Sequence, residues 1–174
     1  MNKSKKVAGI IGSGFAANFH IEALRRVYSA EVEIAGVFSK DKKDLDKFCN
    51  DRGLKAFDSL ENLINDSDIL HLCTPPVTHE PIAIQVLKLN KSVIIEKPFT
   101  GYFGDGSADF NGDTFSKRIG LENALESIRR MLEAERGSEG SIMYAENWIY
   151  APAIQKEREI IEKTKSQILW IQAQ

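Results

Sequence analysis

Cysteine is scarce in this chain of 174 residues, which holds only Cys49 and Cys73 and no Cys-x-x-Cys pair. A disulfide framework and a zinc cluster are therefore both disfavoured, and the surroundings suggest two buried thiols, one in a helix and one in a strand. No apolar run approaches the roughly 20 residues that a bilayer span needs, and the polar N-terminus lacks the hydrophobic stretch of a secretion signal. A soluble, cytoplasmic protein is expected. An excess of charge is missing too: 23 Lys and Arg stand against 25 Asp and Glu. No global field favours nucleic acid or an anionic membrane, and the opening cluster of Lys3, Lys5 and Lys6 reads as the solvated start of a strand. His20 and His71 have no spacing to an acid or a cysteine that suggests a metal site, and His71 falls inside an apolar run as a structural residue. Internal repeats and low-complexity tracts are absent. The length suits one substantial core with a small appendage.

What is present alternates. Val7-Ala8-Gly9-Ile10-Ile11 is a short continuous apolar run, as in a central parallel strand buried on both faces. Residues 15–28 place Phe15, Phe19, Ala23, Leu24 and Val27 on one helical face. Residues 32–38 read as a second strand, 42–51 as a helix stopped by Gly53 in a left-handed cap, 59–64 as a short helix, and 69–73 as a buried strand. Pro75-Pro76 ends that strand, Thr78 is placed to cap a helix over 82–89, and 92–96 forms a further strand. A helix over 121–136 presents Leu121, Ala124, Leu125, Ile128 and Leu132, 142–145 returns to the sheet, Pro152 opens a helix to about residue 163, and 168–173 reads as a last strand. This order predicts an α/β fold with a doubly wound, mostly parallel sheet. Between them, residues 101–116 are too polar for an element and too aromatic for a plain linker, so they read as an ordered lid over the site or as a disordered insertion.

Between the first strand and first helix stands Gly12-Ser13-Gly14-Phe15-Ala16-Ala17. In such a turn the first glycine permits the tight bend, the second lets a pyrophosphate approach the backbone, and the third small residue, here Ala17, allows helix and strand to pack. The free N–H groups that open the helix, from Gly14 through Phe15 and Ala16, would face the phosphates. The end of the second strand selects the dinucleotide. NAD sites place an acid there for the ribose hydroxyls, whereas Phe38-Ser39-Lys40 offers no clash and a cation for a 2′-phosphate. NADP is expected in preference to NAD, with Asp41 next door as the alternative acidic partner. Lys97, at the end of the strand 92–96, adds the chemistry: an ammonium beside a carbinol oxygen polarises it or passes on its proton as hydride leaves the carbon. The alternative for Lys97 is an inert pairing with Glu96 or a nearby acid.

Gly9-Ile10-Ile11-Gly12-Ser13-Gly14 with His20, Cys73-Thr74-Pro75-Pro76 with His79, Glu96-Lys97-Pro98, and Tyr144-Ala145-Glu146-Asn147 leading into Tyr150-Ala151-Pro152 occur in one order. Together they resemble the Gfo/Idh/MocA oxidoreductases, the family of glucose–fructose oxidoreductase and inositol dehydrogenase, over nearly the whole chain outside 101–116. The resemblance implies a Rossmann-type NAD(P)-binding domain over residues 1–150 and, over 151–174, the first helix and strand of a C-terminal α+β domain. It implies that Lys97 lies beside the nicotinamide as the catalytic lysine, that Glu96 and the turn Thr74, Pro75 and Pro76 line the nicotinamide ribose side, and that Asn147 lies near the same pocket. It also suggests a cis bond before Pro98. His79 is placed either near the cofactor or as a capping or surface histidine.

Relatives continue into an open sheet that supplies substrate contacts, so the resemblance implies a dehydrogenase acting on a sugar, a polyol or a related carbonyl compound, with its substrate part incomplete here. Glu146 stands where many relatives have a histidine or an aromatic. A non-catalytic nucleotide-binding module is the alternative, and methyl transfer from S-adenosylmethionine is disfavoured by Lys97 and Ser39. The apolar tail Ile168-Leu169-Trp170-Ile171, as an unpaired edge strand, is expected to make the chain self-associate.

Overall fold

A computed structural model describes residues 5–107 and 109–172. Lys3, residue 108 of the expected insertion and residue 173 of the expected last strand lie outside the described residues. Five strands, β1 (Lys5–Ile11), β2 (Glu31–Phe38), β3 (Ile69–Leu72), β4 (Ser92–Glu96) and β5 (Ile142–Ala145), pair in the order β2-β1-β3-β4-β5, all parallel. The helices are α1 (Phe15–Leu24), α2 (Lys42–Asn50), α3 (Leu60–Asn65), α4 (His79–Lys88), α5 (Lys117–Arg136) and α6 (Pro152–Thr164). The chain moves outward from β1 to β2, then returns past β1 to β3, so the winding reverses between β1 and β3. Ligands of such sheets bind outside the carboxyl ends of the strands at that reversal.

Alternation along each strand divides the core in two. Ile11, Leu70, Leu72, Val93 and Ile95 face Leu63 and Ile64 of α3, Ala83 and Val86 of α4 and Met131 of α5. Ile10, Val37 and Cys73 pack instead with Ala17 and Ile21 of α1 and Leu45, Phe48 and Cys49 of α2. Neighbours such as Ile10 and Ile11 thus point to opposite faces, as a period of two requires. The doubly wound sheet expected from the sequence is the sheet observed.

On two helices the buried residues are not simply the apolar stripe. On α1 the buried residues are Ala17 and Ile21, whereas Phe15 and Phe19 are 79% and 62% exposed. Close packing of α1 on the sheet selects its small residue and one isoleucine, leaving the phenylalanines on an outer face. On α5 the buried residues are Ser127 and Met131, with Ile128 against the core, while Leu121, Leu125 and Leu132 are exposed. Helix α1 also ends earlier than its apolar spacing suggests, in turns donated by Arg26 N–H to Ala23 O and Val27 N–H to Leu24 O. Thr78 does not cap α4 with its side chain. Its hydroxyl bonds Pro75 O at 2.8 Å and meets the Thr74 hydroxyl at 2.6 Å.

Gly36 sits at a register shift between β1 and β2 with φ +152°, and a Cβ there would strike the carbonyl of Lys55. Its bare backbone lets 55–57 bond along Val37, through Val37 N–H to Lys55 O and Phe57 N–H to Val37 O. The described residues of 101–116 form no helix or strand. Tyr102, Phe110 and Phe115 pack on one another there, with ring centroids 5.1–5.6 Å apart. Among the described residues, 168–172 are not a strand and are exposed, because no neighbouring strand offers them a ladder. Truncating Met131 to Ala is expected to lower stability by about 2–5 kcal/mol, and Leu121→Ala by at most about 0.5 kcal/mol. Urea denaturation of both variants checks which face of α5 holds the core.

Candidate functional site

The parallel register aligns the strand ends. Ile11 lies opposite Phe38 and Leu72, Leu72 opposite Ile95, and Glu96 opposite Ala145. The residues that follow, Gly12, Ser39, Cys73, Lys97 and Glu146, therefore emerge along one rim. Gly12 turns the chain with φ +107°, and a Cβ on it would lie 2.7 Å from the Cys73 carbonyl oxygen. Its N–H is taken by Phe38 O at 2.8 Å. Gly14 differs: nothing lies within 4 Å of a Cβ built there, and α1 begins beside it without a side-chain cap. The first amides of α1 thus have no side-chain cap.

Phe15, Ala16, Phe19, His20, Ala23, Leu24 and Val27 of α1 and its exit form one wall of a crevice of about 570 Å³, and Ala145, Glu146, Asn147 and Tyr150 form the other, over His71, Glu96 and Lys97. The apolar face read from the sequence of α1 therefore lines this crevice, with Leu24 also packed against the core. Five of the sequence-predicted site residues meet here: Phe15, Ala16, Glu96, Lys97 and Asn147. Gly12 packs against the turn that follows β3, with the Thr74 methyl 3.2 Å from where a Cβ would be. The bond before Pro98 is cis.

Ser39 and Lys40 lie apart, in a cleft of about 410 Å³ shared with Phe38, Lys42 and Asp58. Asp41 caps α2 by accepting from Asp44 N–H at 3.1 Å. That carboxylate is committed to the helix. His79 is wholly enclosed, with Nε2 2.9 Å from Thr74 O and Nδ1 3.2 Å from Phe99 O. It is neither a surface histidine nor open to a ligand; it ties the turn after β3 to the segment after β4. The described residues of 101–116 do not line the crevice, so the aromatic segment does not cover it.

Sequence reasoning missed the pair His20 and His71. His20 Nε2 lies 2.9 Å from Glu96 Oε1, and its Nδ1 lies 2.7 Å from His71 Nδ1. Glu96 Oε2 accepts the backbone N–H of Lys97 at 2.9 Å. The available signal was His71 itself: a polar ring inside a buried strand requires a partner. Burial, and then the neighbouring His20, push the His71 imidazole down to about 3. Burial, and then Glu96, push the Cys73 thiol up to about 12, so it stays neutral. Among the described residues no group of His, Cys, Asp and Glu is arranged to hold a metal ion, and no helix is long and apolar enough to cross a membrane.

His71 makes stability depend on pH. The unfolded chain takes up a proton at the ordinary histidine value of 6.5, whereas the folded chain resists until about 3. Its contribution is complete above the unfolded value and is lost as pH falls from there toward the folded one, by about 1 kcal/mol per pH unit. Urea denaturation at pH 7 and pH 5 is expected to show this loss, with a shallower dependence in His71→Asn.

The model of the Gfo/Idh/MocA family, described as an oxidoreductase family with an NAD-binding Rossmann fold, matches residues 6–108. Over 93 residues the chain is 34% identical to glucose-6-phosphate 3-dehydrogenase of Bacillus subtilis, covering 53% of this chain and 26% of that protein. It is 30% identical over 92 residues to UDP-N-acetylglucosamine 3-dehydrogenase of Acidithiobacillus ferrooxidans, covering 53% and 28%. The matched stretch thus spans about a quarter of these two relatives. The fold is also that of the WlbA dehydrogenase from Bordetella pertussis, solved in complex with NADH and UDP-GlcNAcA, with a TM-score of 0.72 at 20% identity over 92% of this chain and 42% of that one. The family match covers more than half of the chain and includes the β1–turn–α1 unit together with His71, Glu96 and Lys97 of the crevice: this chain belongs to the Gfo/Idh/MocA oxidoreductase family.

Proposed function

We propose that the chain binds a nicotinamide dinucleotide across the carboxyl ends of β1, β3 and β4 and serves hydride transfer to or from a sugar, a polyol or a related carbonyl compound. The observation that carries this reading is that Lys97 and Glu96, at the end of β4, line the same crevice as Phe15 and Ala16 at the opening of α1. The residues fit the group: the space at Gly14 is open and the amides of α1 are uncapped, which suits a pyrophosphate. The dinucleotide supplies the two-electron acceptor or donor. The chain supplies the rest. Lys97, exposed on the crevice, polarises the substrate oxygen or passes on its proton, Glu96 fixes the Lys97 backbone, and Thr74, Pro75, Pro76 and Asn147 flank the ring side. The buried His79 holds the Thr74 turn in place. The relatives named for glucose 6-phosphate and UDP-N-acetylglucosamine support a sugar-type substrate.

NADP is proposed as the preferred form. Ser39 brings no carboxylate to the end of β2, Lys40 supplies a cation, and Asp41 is occupied as a cap. The segment from Ala151 onward is proposed to begin a substrate-binding unit, since α6 buries none of its residues. Leu169, Trp170 and Ile171, 75–87% exposed, support self-association by apolar contact.

Binding isotherms are expected to show NADPH tighter than NADH, with Ser39→Asp reversing the order; tighter NADH in the native chain overturns the preference. In a screen of sugars and polyols followed by NADPH absorbance, Lys97→Ala is expected to lower turnover by about 10²–10⁴-fold while leaving dinucleotide affinity within a few fold. Turnover unaffected by that change removes Lys97 from the mechanism. Light scattering at high concentration is expected to show association, which a monodisperse monomer would contradict.

A further inference from the structure

The floor of the crevice carries a hydrogen-bonded row of which the hydride-transfer reading uses only Glu96. It runs from His71 on β3 through His20 on α1 to Glu96 on β4, and all three line the crevice with Lys97. Both oxygens of Glu96 act as acceptors, Oε1 toward His20 and Oε2 toward the Lys97 N–H, which is the bonding pattern of a carboxylate. His20 Nε2 must therefore carry a hydrogen. One choice remains, between the two facing Nδ1 atoms 2.7 Å apart, since one has to donate and the other to accept.

This choice gives two states that differ by one proton. In the first, His20 is neutral, its Nδ1 accepts from His71 Nδ1–H, and the row has a net charge of −1. In the second, His20 is an imidazolium that donates from both nitrogens, the His71 hydrogen moves to Nε2, and the row is neutral. His71 resists a second proton because it is buried beside His20. The other titratable groups that meet the row are Cys73 after β3, which stays a neutral thiol, Lys97 after β4, and Glu146 and Tyr150 on the opposite wall. The 2.7 Å contact between the two Nδ1 atoms is satisfied in either state, because each places one hydrogen between them.

We propose that His71, His20 and Glu96 form a one-proton store whose filling follows the redox state of the dinucleotide above it. This rests on the hydride-transfer reading. An oxidised nicotinamide ring is cationic and a reduced one is neutral, so the oxidised form favours the empty, anionic row and the reduced form the filled, neutral one. The balance of the reaction then closes inside the crevice. When a carbinol is oxidised, its C–H bond yields a hydride to the ring, its O–H bond yields a proton, and that proton fills the row as the ring loses its charge. In the reverse direction the row empties to protonate the carbonyl oxygen. His20 is the positioning residue that makes this exchange possible, because it alone touches both partners.

Calorimetry of the full chain near pH 7, with NADP⁺ and with NADPH in phosphate and in Tris, counts the protons exchanged on binding. The expected result is proton release with the oxidised form and uptake with the reduced form, differing by at least ~0.3 of a proton per dinucleotide and abolished in His20→Asn. ¹⁵N spectra of the imidazoles in the native chain give a second readout that needs no variant: His20 Nδ1 is expected to move toward the protonated shift with NADPH and away from it with NADP⁺. Binding of both forms without buffer-dependent heat, or with imidazole spectra indifferent to the redox state, overturns the proton store and leaves the hydride-transfer reading standing. Failure of both forms to bind overturns that reading and the store with it.

Discussion

The site depends on one close contact, the backbone of Gly12 lying against the Cys73 carbonyl while its N–H is held by Phe38 O. Three strand ends, β2, β1 and β3, are fixed to each other at that point. A side chain on Gly12 would separate β1 from β3 where the winding reverses, and the opening of α1 would no longer face the end of β4. Gly36 plays the corresponding part at the other edge of the same pairing, where it admits the segment 55–57 alongside Val37.

Around that contact the side chains are placed so that no buried side-chain nitrogen or oxygen among the described residues is left without a partner. His79 sits between two carbonyl oxygens behind the turn after β3, the nearer being Thr74 O at 2.9 Å, and His20 spans His71 and Glu96 below the crevice. An unpaired imidazole in either place would cost on the order of 1–3 kcal/mol, so each ring both satisfies and orders its neighbours. The consequence is a rim with fixed geometry: Glu96 is held at both oxygens, and the lysine that follows is held through its own N–H. The apolar wall of Phe15, Phe19 and Val27 meets this polar floor directly. Such a pairing of a greasy wall with a few aimed polar groups is what small-molecule sites commonly show.

Much of the fold was legible because it rests on local rules. Short apolar runs at 7–11, 69–73 and 92–96 are long enough for a buried strand and too short for a helix, and the glycines and prolines between them punctuate the chain. The motif residues Gly12, Gly14 and Lys97 declared themselves for the same reason, being defined by neighbours in sequence. The faces of α1 and α5 did not. Phe15, Phe19 and Val27 satisfy a helical period as well as any core face, and only the sheet, which takes Ala17 and Ile21 instead, decides which stripe is buried. Thr78 likewise had the right position for a cap, but the nearby Thr74 hydroxyl and Pro75 carbonyl claimed its side chain.

The sequence alone determined the order of the elements, the parallel doubly wound class, the glycine turn and the lysine at a strand end, since each follows from spacing over a few residues. Only the tertiary structure decided that His20, from a helix, and His71, from a strand 51 positions later, share one short contact above Glu96. It also decided that Asp41 caps α2, that His79 is enclosed and that the tail 168–172 lacks a ladder. These are properties of what lies across from a residue, and that is set by the folding of distant segments onto one another.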